Sequence, residues 1–122
     1  MLTLPTGTRV YLAAERVDLR RGHDGLLALV RGTLSLDPFA GHLFVFVGRR
    51  ADRIKILFWD RGGFVVYYKR LAHGRFPLPR IRDGADRVVL DGTELAMLLG
   101  GFEPRKASRQ PAWEPTKRSD VA

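Results

Sequence analysis

Cysteine is absent from this chain. A disulfide framework, a zinc–thiolate site and a thiol nucleophile are therefore excluded, and the fold must stand on packing alone. No apolar run approaches the roughly 20 residues that a membrane-spanning helix needs. Met1-Leu2-Thr3-Leu4-Pro5 lacks the charged start and long apolar region of a secretory signal, so the cytoplasm is the expected location. His23, His42 and His73 are dispersed, with no i, i+4 pair, and give no basis for a metal site. Ser35, Ser108 and Ser119 lack a neighbouring His–acid context for a nucleophile. Gly22-His23-Asp24-Gly25 lacks the Gly-Lys-Ser/Thr of a phosphate loop, and no cofactor is expected.

What the chain does have is positive charge in one place. Of its 21 basic residues, 17 are Arg, and the formal net charge is +8. The segment Arg49–Arg82 alone carries ten basic residues and two acids, Asp52 and Asp60, a local balance of 10 − 2 = +8. The flanking parts nearly cancel, at +1 for residues 1–48 and −1 for residues 83–122. The basic segment is interleaved with Ile54, Ile56, Leu57, Phe58, Trp59, Phe64, Val65, Val66, Tyr67 and Tyr68, so the charge rides on folded strands and their turns. A fixed basic face attracts polyanions and holds them in one orientation, which makes nucleic acid the first partner to consider.

At 122 residues and 45% hydrophobic content, one domain with one core is expected. Thr8–Ala14 has the alternation of a short strand. From Asp24 to Leu36, Leu26, Leu29, Val30 and Leu34 recur at helical spacing, and Asp37-Pro38 is expected to end that helix. A meander follows, with strands at His42–Val47, Arg53–Trp59 and Phe64–Arg70, the last two joined by the Asp60-Arg61-Gly62-Gly63 turn. Leu71 to Pro79 is a turn-rich crossing, and Asp86–Leu90 a further short strand. Asp91-Gly92-Thr93-Glu94 has the form of a capping box opening a short helix, which Gly100-Gly101 closes. The expected architecture is α+β: a small antiparallel β-meander sheet packed with one longer and one short helix. Residues 1–102 would form the single domain, and residues 103–122, rich in Pro, Lys and Arg, a mobile tail.

Several blocks now match a known pattern. They are Val17-Asp18-Leu19-Arg20-Arg21-Gly22, then Asp37-Pro38 with Gly41-His42-Leu43-Phe44-Val45-Phe46, then Gly48 through Asp60. Gly63-Phe64, Tyr68-Lys69-Arg70-Leu71, Gly74-Arg75-Phe76 and Glu94 through Gly101 continue it in order and spacing. Together, over roughly residues 4 to 102, they resemble TnpB, the small accessory protein of the insertion-sequence sixty-six (IS66) family of bacterial transposable elements. That family is distinct from the RNA-guided nucleases of the same name. The resemblance implies a non-catalytic accessory protein of DNA transposition, acting with a separate transposase and a second small accessory protein. It supplies no catalytic residue. Ala51 stands where glycine is commoner in the family, and Phe46-Val47-Gly48 replaces a frequent Phe-Arg-Gly.

The candidate contacts to DNA are Arg49, Arg50, Arg53, Lys55, Lys69, Arg70 and Arg75, because a meander brings the turn before its second strand beside the end of its third. Arginine suits phosphate through its planar, two-pronged donor geometry. The same face could instead meet an acidic protein surface, making the chain an interaction module that bridges or activates the transposase, or could simply be solvated. Trp59, Tyr67 and Tyr68 could stack on bases or pack in the sheet. Trp113, in the tail, is a candidate partner anchor. Asp18, Asp60 and Glu94 could be imagined as a nuclease triad, but turn and cap roles account for them.

Overall fold

The computed structural model describes residues 4–102. Trp113, the proposed tail and the first three residues lie outside the described residues. The elements run β1 (Val10–Ala13), α1 (His23–Arg31), β2 (Leu43–Val47), β3 (Arg53–Asp60), β4 (Gly63–Arg70), β5 (Arg87–Leu90) and α2 (Gly92–Leu99).

β2, β3 and β4 form the expected antiparallel meander. Its hairpin turn places Arg61 (φ 37°) and Gly62 (φ 83°) at positive φ, the two-residue geometry whose twist matches that of the strands it joins. The full sheet is larger and mixed. Five strands lie in the order β4-β3-β2-β1-β5, with β1 parallel to β2 and antiparallel to β5. The expectation of a purely antiparallel sheet is thus corrected. Leu43 to Val47 is buried on both faces, so β2 cannot lie at an edge, and β1 covers the side that β3 leaves open.

Both faces of the sheet are covered. On one, Tyr11, Ala13, Phe44, Phe46 and Leu57 pack with Leu26 and Val30 of α1 and with Leu34. On the other, Val10, Leu12, Val45, Ile54, Ile56 and Leu90 pack with Leu95 and Leu98 of α2 and with Phe76 of the crossing. The crossing is pinned across the sheet end, where the Phe76 N–H donates to the Ala51 carbonyl at 2.7 Å.

Helix α1 ends earlier than its periodicity suggests, so it is short rather than long. Gly32 caps it, its N–H donating to Ala28 O at 2.8 Å. The chain then turns through Ser35 at φ 52°, with Leu34 N–H donating to Leu29 O and Leu36 N–H to Val30 O. Leu34 is 1% exposed although it lies beyond the helix. Its apparent place in the helical stripe arises because a non-helical turn returns it to the same core. Helix α2 opens with the expected capping box: the Asp91 carboxylate accepts from Glu94 N–H at 2.7 Å, and Glu94 Oε1 accepts from Asp91 N–H at 3.0 Å. It closes on Gly101 at φ 94°, with Phe102 N–H donating to Met97 O and Gly101 N–H to Leu98 O.

Two substitutions test this account by urea denaturation. Asp91→Ala should cost about 1 kcal/mol as the cap is lost. Leu34→Ala should cost about 2–5 kcal/mol, the loss expected for a core leucine and far above that of a solvent-exposed post-helical residue.

Candidate nucleic-acid interface

Main-chain hydrogen bonds gather most of the predicted basic residues at one end of the sheet. Arg49 and Arg50 occupy the β2–β3 turn, closed by Gly48 N–H donating to Arg53 O at 3.0 Å. Ala51 holds a left-handed conformation there (φ 60°) and is buried, which accounts physically for a position where glycine serves well. Arg53 opens β3, and Arg70, the last residue of β4, stands directly opposite it in the ladder. Leu71 N–H donates to Asp52 O at 2.8 Å, which ties the end of β4 to this turn. Arg75 precedes Phe76, whose N–H is bonded to Ala51, so the crossing delivers a fifth arginine to the same corner.

The two lysines behave differently. Lys55 shares the α1 side of the sheet with Arg53 and Arg70, but its ammonium donates to the Arg21 carbonyl at 2.7 Å and lies 5.2 Å from the Tyr68 ring centre. Lys69 points to the other side, where its ammonium donates to Leu99 O at 2.8 Å and caps the C-terminus of α2. Both amines are thus taken up in joining distant parts of the fold. Arg61, at the far end of the β3–β4 hairpin, is a strand's length from the corner, so the basic segment does not form one continuous face.

Sequence reasoning missed two tertiary contacts. Val17 bridges Gly48 in parallel, which brings Arg16 to the turn, and Arg16 Nη1 approaches Arg49 O at 3.5 Å. The backbone of Arg21 is tied to β3 through its carbonyl contact with Lys55. Neither could be found by local spacing, because each partner lies more than thirty residues away (|i−j| = 33 and 34).

Carboxylates offset little of this charge. Asp52 meets Arg53 only at 3.8 Å. Asp18 is held by Arg20, whose side chain donates to both of its oxygens at 2.6–3.0 Å. Those bonds, the Arg20 backbone N–H and the charges of Arg20 and Arg49 hold the Asp18 carboxyl well below its ordinary range. The same pairing raises the Arg20 guanidinium. Arg49, Arg50, Arg70 and Arg75 make no ion pair among the described residues.

The aromatic candidates divide. Trp59 packs edge-on against Phe39 and Phe64, with ring centres 5.0 Å apart in each case, and serves the sheet. Tyr67 and Tyr68 are exposed but lie on opposite faces of β4, so they form no common stacking platform. The three imagined nuclease carboxylates do not converge: Asp18 pairs with Arg20, Glu94 sits in the capping box and Asp60 is at the far hairpin. Among the described residues no group of three His, Cys, Asp or Glu could hold a metal ion. Among the described residues no helix is long and apolar enough to cross a membrane.

Fold and corner together define a small α+β protein with an arginine-rich sheet end. The profile of IS66 Orf2-like proteins matches residues 8–109, and the chain belongs to that family. It is 38% identical over 111 residues to the uncharacterized protein y4jC of Sinorhizobium fredii (strain NBRC 101917 / NGR234), covering 91% of this chain and 93% of that one. The uncharacterized protein y4hO of the same strain is 37% identical over 116 residues, covering 93% and 97%. No solved structure matches the chain.

The Asp18 pairing predicts a pH effect of defined sign. A carboxyl depressed in the folded state contributes stability that is full above its unfolded value of 3.8 and is lost as pH falls below it. Asp18→Asn should therefore flatten the acid limb of stability against pH, read by denaturant unfolding between roughly pH 4 and pH 2. An unchanged limb would show that Asp18 titrates alike in the folded and unfolded chain.

Proposed function

We propose that this protein is a non-catalytic accessory factor of DNA transposition that grips the phosphate backbone through its arginine corner. Family membership supports the transposition role. The observation that carries the DNA contact is the cross-strand pair Arg53–Arg70. Like charges directly opposite in an antiparallel ladder destabilise it. Here neither is closely neutralised, and Arg49, Arg50 and Arg75 crowd the same end. A sheet end that keeps such repulsion is pre-set for an anion lying between its guanidiniums. Lys69 is omitted from the proposed contacts because it caps α2, and Lys55 acts by holding Arg21 in place.

Phosphate contacts position a duplex without reading its sequence, so recognition of element ends falls to the transposase, the expected partner. The Arg49, Arg50, Arg53, Arg70 and Arg75 set supplies charge and fork geometry, and the rigid meander fixes their spacing.

Fluorescence anisotropy with a duplex over a salt series tests the proposal. Affinity should fall with salt at a log–log slope of about −0.9 per phosphate neutralised. The double variant Arg53→Gln/Arg70→Gln, which removes the pair that holds one phosphate, should make that slope shallower by about 0.9. Without DNA, the same variant should be as stable as the parent or more so by a few tenths of a kcal/mol, because the repulsive pair is gone. Lys69→Gln should leave the slope unchanged and cost about 1 kcal/mol of stability as the α2 end loses its cation. Duplex binding that is absent at low salt, or indifferent to salt, would reject the phosphate grip and leave docking on an acidic protein surface in its place.

The non-catalytic reading has its own check. Supercoiled plasmid incubated with the protein and Mg²⁺ should remain intact. Cleavage that disappears in Asp60→Ala would overturn it.

A further inference from the structure

Strand β4 is an edge of the sheet, and its outer side is unpaired. Which groups face outward follows from the ladder. Leu71 N–H donates inward to Asp52 O, and hydrogen-bonding direction alternates along an antiparallel strand. Gly63, Val65, Tyr67 and Lys69 therefore bond to β3, while the N–H and C=O groups of Phe64, Val66, Tyr68 and Arg70 point away from the sheet. None of these four residues has a hydrogen bond to its outward backbone groups among the described residues.

The usual protections of such an edge are missing. β4 is eight residues long, contains no proline, and pairs with β3 without a bulge from Arg53↔Arg70 through Asp60↔Gly63. Its centre, Phe64 to Tyr68, carries no charge. Val65, Tyr67 and Tyr68 are 37%, 45% and 48% exposed, half of the large apolar side chains left uncovered in the described domain. Charge is confined to the two ends of the strand, at Lys69-Arg70 and at the Asp60-Arg61 turn.

We propose that β4 pairs antiparallel with β4 of a second copy of this chain, centred on Val66, to make one continuous sheet across a two-fold axis. The proposal is independent of DNA binding. Residues directly opposite in an antiparallel pair share a face, so the register must join like faces. Centring on Val66 sets Phe64 against Tyr68 on the α1 side and Val65 against Tyr67 on the α2 side. Each exposed apolar residue of the strand then meets an apolar residue of the other copy. The outward groups of Phe64, Val66 and Tyr68 map onto one another and supply about six main-chain hydrogen bonds.

Charge selects the same arrangement. Parallel pairing would stack the two Lys69-Arg70 ends. Antiparallel pairing holds the two Lys69 residues about 20 Å apart along the strands, beyond the screening length of about 10 Å at 0.1 M salt. It also sets Lys69 opposite Gly63 of the other copy, which has no side chain to crowd the Lys69 contact with Leu99 O. Arg61 and Arg70 stay at the solvated ends. Both arginine corners then lie on one molecule, at opposite ends of the shared seam.

Sedimentation of the nuclease-treated full chain across the micromolar range should show a reversible monomer–dimer equilibrium. Val66→Pro should abolish it while keeping the native circular dichroism, because the Val66 N–H serves no bond to β3 and an edge strand tolerates proline. Hydrogen exchange on the unmodified protein gives a second reading that needs no variant. The amides of Phe64, Val66 and Tyr68 should be protected at high concentration and exposed on dilution, while those of Val65, Tyr67 and Lys69 stay protected throughout. A monomer at every concentration, a Val66→Pro dimer, or freely exchanging Phe64, Val66 and Tyr68 amides in a dimer would each overturn the proposal. So would pairing of β4 only with a different protein. A strictly monomeric chain that still binds DNA with its full salt slope would remove the dimer and leave the phosphate grip standing.

Discussion

Five consecutive residues, Leu43 to Val47, are buried on both faces of the sheet, and this makes heavy demands on everything around them. A doubly buried strand needs neighbours on both sides for its backbone and a layer above and below for its side chains. β3 follows it at short range and supplies one neighbour. The other is β1, which precedes it by the whole of α1 and pairs with it in parallel. Because the connection from β1 to β2 passes through α1, the helix is laid over one face, where Leu26 and Val30 meet Phe44 and Phe46. The opposite face is closed by Phe76 of the crossing and by Leu95 and Leu98 of α2. The layer order of the molecule follows from β2's need for cover.

The same requirement explains which parts of the fold could be read from sequence. The meander was legible because its signals are local: alternation along Arg53 to Trp59, and the glycines after Asp60. The capping box of α2 was legible because Asp91 and Glu94 act on each other within one turn. The mixed topology was not, since nothing near Val10 records whether its partner lies at Leu43 or Leu90, and it has both. Helix α1 was overextended because spacing registers only that Leu34 faces the core. It does not distinguish a continuing helix from the turn through Ser35 that brings Leu34 back.

At the candidate site the division is similar. Meander geometry alone brought Arg49, Arg50 and Arg53 beside Arg70, and the crossing added Arg75. The fates of the two lysines depended on carbonyls 34 and 30 residues away, at Arg21 and Leu99, and no pattern within the basic segment could reveal them. A lysine's single ammonium on a flexible stem is well suited to reaching a lone carbonyl, whereas the fork of arginine is best used on two oxygens at once. Lys55 and Lys69 are turned inward to carbonyls of the protein, whereas Arg49, Arg50, Arg70 and Arg75 make no ion pair among the described residues.

The place of β1 also bears on how the protein comes to be made. It leaves the ribosome before the other four strands of this sheet, yet both of its ladders wait on later sequence: Leu43 to Val45 for one, Arg87 to Leu90 for the other. The β2–β3–β4 unit can assemble from contiguous chain, with short loops and little entropy lost in closing them. Nascent β1 must meanwhile remain unpaired on its second side until translation has passed Leu90, so the last seam to close in this sheet involves the earliest made of its five strands.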